Sequence, residues 1–241
     1  MAFLTARWSN LCLFTYAVPT ELLRPRVPPG LELDRREGLA GEAFVSLVAF
    51  DFLETKVLGV PWPGFRNFPE INLRFYVRRP APDGGTERGV VFVREFVPQR
   101  FVAWTARRLY HEPYVAAPMS SRVTLGDDAI AVEHRLTYAG RTHTLAMTAD
   151  CPAACPPESG VEHFFKEHRW GYGATPRGRL IRYEVVHPVW DCHRVRSWRV
   201  DLDWASVYGP EWAFLQGQEP VSTVLAVGSA VSVMPRRTPV G

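Results

Sequence analysis

Apolar residues recur at every second position, or gather in short β-branched runs bounded by Gly and Pro, through much of this chain. The runs are Leu11 to Ala17, Ala43 to Phe50, Ile71 to Arg78, Val90 to Phe96, Ile130 to Tyr138, Arg141 to Thr148, Leu180 to Val186 and Val221 to Val233. A period of two sends alternate side chains to opposite faces of a strand, so the pattern predicts a mainly β chain. Asp83-Gly84-Gly85 and Ala139-Gly140 separate neighbouring runs and predict hairpin turns. Strands joined in this way pair in sequence, which predicts an antiparallel meander closed into a barrel.

Helical signals are few, making the expected class α+β with β dominant. Thr20 to Arg24 can form one turn with Thr20 as N-cap before Pro25. Pro98 to Tyr110 sets Phe101, Trp104 and Arg108 at helical spacing after a proline entry, and Val161 to His168 follows a capping box of Ser159 and Glu162. Between strand and helix, Cys151 to Gly160 reads as a loop rich in proline. No repeat, low-complexity tract or linker divides the 241 residues, so a single domain spanning 1–241 is expected.

Composition narrows the function classes. With 46% hydrophobic, 22% charged and 12% aromatic residues, the chain can bury a sizeable core, which excludes disorder. A net charge of +3 from 28 basic and 25 acidic residues is too small and mixed to favour nucleic acid. The apolar run Leu11 to Val18 is too short for a membrane span and lacks a cleavage site, so a cytoplasmic location and no membrane partner are expected. Four cysteines (Cys12, Cys151, Cys155 and Cys192) are sparse for a disulfide scaffold and form no zinc pattern. His163 and His168 are five apart, not at the i, i+4 spacing of a helical metal pair. With no nucleotide-binding loop and no nucleophile elbow either, no cofactor and no metal is expected.

Three segments concentrate chemistry. On the strand around Ile71, alternation puts Ile71, Leu73, Phe75 and Val77 on one face and Glu70, Asn72, Arg74 and Tyr76 on the other. Across about 13 Å, at 3.3 Å per residue, Glu70 and Arg74 can converge on a small carboxylate or enolate above Asn72. The same polar face on an outer strand would simply meet water. Around the end of the second helix, Arg107, Arg108, His111, Glu112 and Tyr114 gather donors and proton carriers; Arg107 and Arg108 also suit the helix dipole, and Pro113 aims Tyr114. The third, Glu184 to His193, ends a hydrophobic strand at His187 before Pro188, where a histidine serves either as a proton shuttle or as a satisfied rim residue.

Taken together, Pro69-Glu70-Ile71-Asn72-Leu73-Arg74-Phe75-Tyr76-Val77, then Ala106-Arg107 to Pro113-Tyr114 with Ala117 and Met119, then His187-Pro188-Val189-Trp190 resemble the YqjF-like family of uncharacterised bacterial proteins over nearly the whole chain. That family is similar to acetoacetate decarboxylase. The resemblance implies an acetoacetate decarboxylase-like antiparallel β-barrel with a few short peripheral helices and an internal cavity. In the decarboxylase a lysine forms a Schiff base with a keto acid. Its motif falls here on His111-Glu112-Pro113-Tyr114, with Tyr114 in place of the nucleophile, and the only lysines, Lys56 and Lys166, lie elsewhere. A phenol cannot form an iminium, so the expected activity is acid/base chemistry on a small carbonyl or carboxylate compound: enolisation, dehydration, cyclisation or a decarboxylation-like lyase step. Glu70, Tyr114 and Arg74 are the expected catalytic residues, with Asn72, Tyr76, Arg107, Met119 and His187 binding substrate. A non-catalytic binding or sensor protein is the rival reading. Val221 to Val233 suits a contact in a homo-oligomer or an interior strand equally.

Overall fold

The computed structural model describes residues 1–36, 38–39, 43–81 and 83–237. In chain order its elements begin with β1 (Leu4–Val18), α1 (Thr20–Leu23), β2 (Glu32–Leu33), β3 (Ala43–Val57), β4 (Phe68–Pro80), β5 (Thr86–Val97), α2 (Arg100–Leu109) and β6 (Tyr114–Ala116). There follow β7 (Met119–Leu125), β8 (Ala129–Tyr138), β9 (Arg141–Asp150), α3 (Val161–Lys166), β10 (Trp170–Ala174) and β11 (Leu180–Val186). The last are β12 (Cys192–His193), β13 (Val195–Asp201), α4 (Trp204–Tyr208), a 3-10 helix at Pro210–Leu215, and β14 (Ser222–Val233).

Two sheets result. The larger runs β2-β4-β3-β1-β14-β11-β10-β5-β6, and because β4 also pairs with β5, seven strands close into a ring. The smaller has the order β13-β9-β8-β7. Sequential antiparallel pairing holds for β3-β4-β5 and β7-β8-β9. It does not hold throughout: β10 and β6 both lie parallel to β5, and the N-terminal strand pairs with the C-terminal one. Parallel partners need long crossovers, which the alternation of single strands does not encode. The ring is thinnest where β11 meets β14, whose paired residues are Val185 with Val233 and Val186 with Ser232, followed by an isolated bridge of Arg182 with Arg237.

Alternation along β1, β3 and β4 builds the main core. Phe14, Tyr16, Val45, Leu47, Ile71, Leu73 and Phe75 pack against Val132, Leu136, Leu145 and Met147 of the smaller sheet and against Trp204, Tyr208 and Trp212. Each buried large side chain contributes roughly 1.5–3 kcal/mol, which ties the two sheets together. The β8–β9 hairpin turns on Ala139 (φ 51°) and Gly140 (φ 76°), the pair of left-handed residues a two-residue turn requires.

Local capping differs from expectation. Thr20 is the first helical residue, preceded by Pro19 as N-cap, and its hydroxyl donates to Glu21. Gly160, not Ser159, caps α3, and no side chain closes a capping box there. Short strands such as β6, β10 and β12, and the helix α4, carried no periodic signal long enough to be read. Among the described residues no helix is long and apolar enough to cross a membrane, and no three His, Cys, Asp or Glu side chains cluster to hold a metal.

Candidate functional site

All seven ring strands contribute side chains to one pocket of about 310 Å³. Its wall is overwhelmingly apolar, with Trp8, Phe50, Phe52, Phe68, Phe92 and Trp170 among the rings that line it. One polar patch interrupts this surface, and β4 supplies its first three members. Glu70, Asn72 and Arg74 alternate with the core residues Ile71 and Leu73, so burial of one face aims the other inward. Glu70 and Asn72 are each only 2% exposed.

Glu70 organises the patch. Asn72 Nδ2 donates to Glu70 Oε1 at 2.9 Å, and the Tyr114 hydroxyl donates to Glu70 Oε2 at 2.8 Å. Tyr114 begins β6, which runs parallel to β5 with Tyr114 beside Glu95. Arg74 donates through Nη2 to the Phe165 carbonyl at 3.1 Å, while its buried Nε has no partner.

Two further pocket residues, Glu95 and Tyr183, were not singled out from the sequence, and a third, His168, was weighed there only as a metal ligand. Glu112, which appeared there only as one member of a polar cluster, joins them. The pairing of β4 with β5 steps from Leu73↔Arg94 to Arg74↔Phe92, leaving Val93 as an extra residue in a bulge. Phe92 and Glu95, three apart, therefore both face the pocket, a placement that strict alternation forbids. Glu112 follows His111, whose backbone is left-handed at φ 56° just past the end of α2. Glu112 and Tyr183 both line the pocket. Tyr183 lies across Gly171 of β10, where an added Cβ would sit 2.2 Å from the ring.

Confinement of three carboxyls raises their proton affinity. Burial pushes Glu70 up to about 7, against the lowering pull of Asn72, Tyr114 and Arg74. Burial pushes Glu112 up to about 8, opposed by the neighbouring Tyr183 hydroxyl and reinforced by the Glu70 charge. Glu95 is held well above the ordinary carboxylate range by burial, then by Glu112 and Glu70. The His168 imidazole is held well below its usual value by burial and by Arg74, so it is neutral. The set therefore combines acids of graded strength with phenol, amide and guanidinium donors, the equipment of proton transfer.

The other residues singled out from the sequence lie elsewhere. Tyr76 is buried with Phe44, Phe164 and Phe165, and its hydroxyl bonds to Ser46. Arg107 is exposed and lines a separate surface groove with Trp104 and Pro118. Met119 packs on the main core. His187 stacks on Trp190 at 4.0 Å, outside the pocket wall. Neither lysine lines the pocket: Lys56 is exposed on β3, and the buried Lys166 pairs with Glu167.

Comparison with known proteins agrees with this architecture. The model of the DUF2071 family, described as an uncharacterized conserved protein, matches residues 5–230. The uncharacterized protein YqjF of Bacillus subtilis (strain 168) is 28% identical over 185 residues, covering 76% of this chain and 72% of YqjF. Acetoacetate decarboxylase from Legionella pneumophila superposes with a TM-score of 0.63 at 12% identity, covering 99% of this chain and 88% of the decarboxylase. The enduracididine biosynthesis enzyme MppR, complexed with the condensation product of pyruvate and imidazole 4-carboxaldehyde, gives a TM-score of 0.65 at 15% identity, covering 98% of this chain and 89% of MppR. The fold is thus acetoacetate decarboxylase-like.

Proposed function

The chain belongs to the DUF2071 family of uncharacterized conserved proteins, and from that premise we propose that its strand ring is a barrel whose lumen binds a small carbonyl compound and moves a proton on it without a Schiff base. Residues 1–241 form one domain in this reading. The observation that carries it is Glu70: a carboxyl with proton affinity near neutrality, hydrogen-bonded to Tyr114, on the wall of a pocket of small-molecule size. MppR and the decarboxylase, which share the fold, act on or hold small oxygenated molecules by their names, and this supports the same class here.

The chemistry follows from the donors and the base. Tyr114 and Arg74 direct N–H and O–H donors at the carbonyl oxygen, and Asn72 holds Glu70 in place. The Glu70 carboxylate takes a proton from the carbon next to the carbonyl. The C–H electron pair becomes the new C=C bond, and the carbonyl π pair moves to oxygen as an enolate. As Glu70 gains its proton it accepts less strongly from Tyr114, which frees that hydroxyl for the developing oxyanion. Return of the proton from Glu70 completes the cycle. A neutral carbonyl leaves the Glu70 acid free to ionise at this wall, whereas a free carboxylate would oppose that with only Arg74 to offset its charge. No lysine reaches the pocket to form an iminium.

The test follows exchange of the α-protons of phenylacetone for deuterium by NMR. Wild type is expected to exchange them faster than buffer, and Glu70→Gln to be slower by roughly 10²- to 10⁴-fold. Equal rates for the two proteins remove Glu70 as the base. Binding without exchange leaves a sensor.

A further inference from the structure

The polarity of the pocket runs opposite to that of a site built for a small anion. Its mouth is aromatic: Trp62 and Phe101 line it while 50% and 53% exposed, and Phe65 packs on Phe101 at 5.6 Å. Its polar groups lie deep, with Glu95 at 1% and Glu112 at 7% exposure. Of the pocket oxygens without a hydrogen-bond partner among the described residues, three belong to the residues of this polar patch, Glu95 Oε1, Glu112 Oε1 and Asn72 Oδ1, and the fourth is Thr55 Oγ1 on β3. Buried polar atoms in folded proteins are almost always satisfied, so such a group on a cavity wall calls for a ligand or solvent donor. An amide oxygen can only accept. An ammonium brings three N–H donors, equal in number to the three oxygens.

Resting on the carbonyl reading above, we infer that the natural carbonyl ligand also carries an amine on an aromatic or similarly apolar body and enters amine first, with its ammonium against Glu95, Glu112 and Asn72 and its body along the aromatic wall. An anionic head there would lie against Asn72 Oδ1, which can only accept, and would oppose ionisation of all three carboxyls, with only Arg74 to offset its charge. The titratable and charged groups lining the pocket with the ammonium are Glu70, Glu95 and Glu112, the phenols Tyr110, Tyr114 and Tyr183, the Arg74 guanidinium and the neutral His168 ring. Because burial holds protons on the carboxyls, arrival of a cation expels one.

Three isosteric probes separate the possibilities: phenethylamine, 2-phenylethanol and phenylacetate, titrated calorimetrically into the full chain at pH 7.5 in two buffers of different ionisation enthalpy. Phenethylamine is expected to bind at least about tenfold more tightly than either isostere, with net proton release. Glu95→Gln and Glu112→Gln should each reduce that preference while keeping shape. Tighter or equal binding of phenylacetate or 2-phenylethanol overturns the inference, as does binding of none of the three. Should that happen while phenylacetone exchange still depends on Glu70, the carbonyl reading survives alone. A preference for the amine with no exchange upholds the ligand class and removes the enolisation step.

Discussion

Glu112 shows how a single buried acid couples site and stability. Its folded-state proton affinity lies at about 8, above the ordinary value of 4.5 that the unfolded chain shows. The folded state therefore holds the proton more tightly, and the stabilisation this gives is complete below about pH 4.5 and lost as pH rises through about 8. Glu70, at about 7, acts in the same direction. Thermal unfolding should show a midpoint that falls across this window, and Glu112→Gln should flatten the fall and raise the midpoint at pH 8. A variant whose profile parallels wild type would show that Glu112 does not titrate there. Of the pocket acids, Glu70 was legible because burial of Ile71, Leu73 and Phe75 fixes its face. Glu112 was seen only as a member of a polar cluster, since its aim depends on the left-handed backbone of His111, and no residue type announces that conformation in advance.

At the scale of elements, eight runs of alternating or β-branched residues correspond to the long strands β1, β3, β4, β5, β8, β9, β11 and β14, and both expected hairpins form. What alternation does not carry is any break in its own phase. Glu95 stands in a run whose regular reading would turn it away from Phe92, and only the bulge at Val93 brings the two to one side. The partner strands β10 and β11 illustrate a second hidden device. Gly171 is the position over which the Tyr183 ring lies, so Tyr183 reaches the acids because its neighbour has no side chain. Gly171→Ala sets a methyl 2.2 Å from that ring and is expected to cost about 1–3 kcal/mol in urea denaturation, as overpacked sites do. The double variant with Tyr183→Leu should recover part of the loss. A neutral Gly171→Ala would mean that the ring moves freely and is not held at the acids.

Across the whole molecule, the parts that could be read from sequence are those built by neighbours in the chain, and the parts that could not are those built by distant segments. The parallel placements of β6 and β10 on β5 and the pairing of β1 with β14 join residues far apart, and they decide which side chains surround the pocket. The ring is not uniformly strong. Where β11 meets β14, Val185 and Val233 both line the pocket, and the Met234 amide donates to the Glu184 carbonyl. Few contacts hold this seam, so it opens at lower free energy than the β1–β3 interior. Hydrogen exchange at Met234 is expected to be faster than at Leu47, and a pocket ligand should slow it. Equal exchange at the two positions would make the seam part of the global unfolding unit. The scarcity of lysine has its own practical result. Lys166 is sealed inside the fold, whereas Lys56 stands exposed between Thr55 and Val57, two residues that face the pocket. An acylating dye applied at alkaline pH thus finds one accessible lysine in the native protein, on a strand that lines the pocket, and its emission is expected to change when a ligand enters.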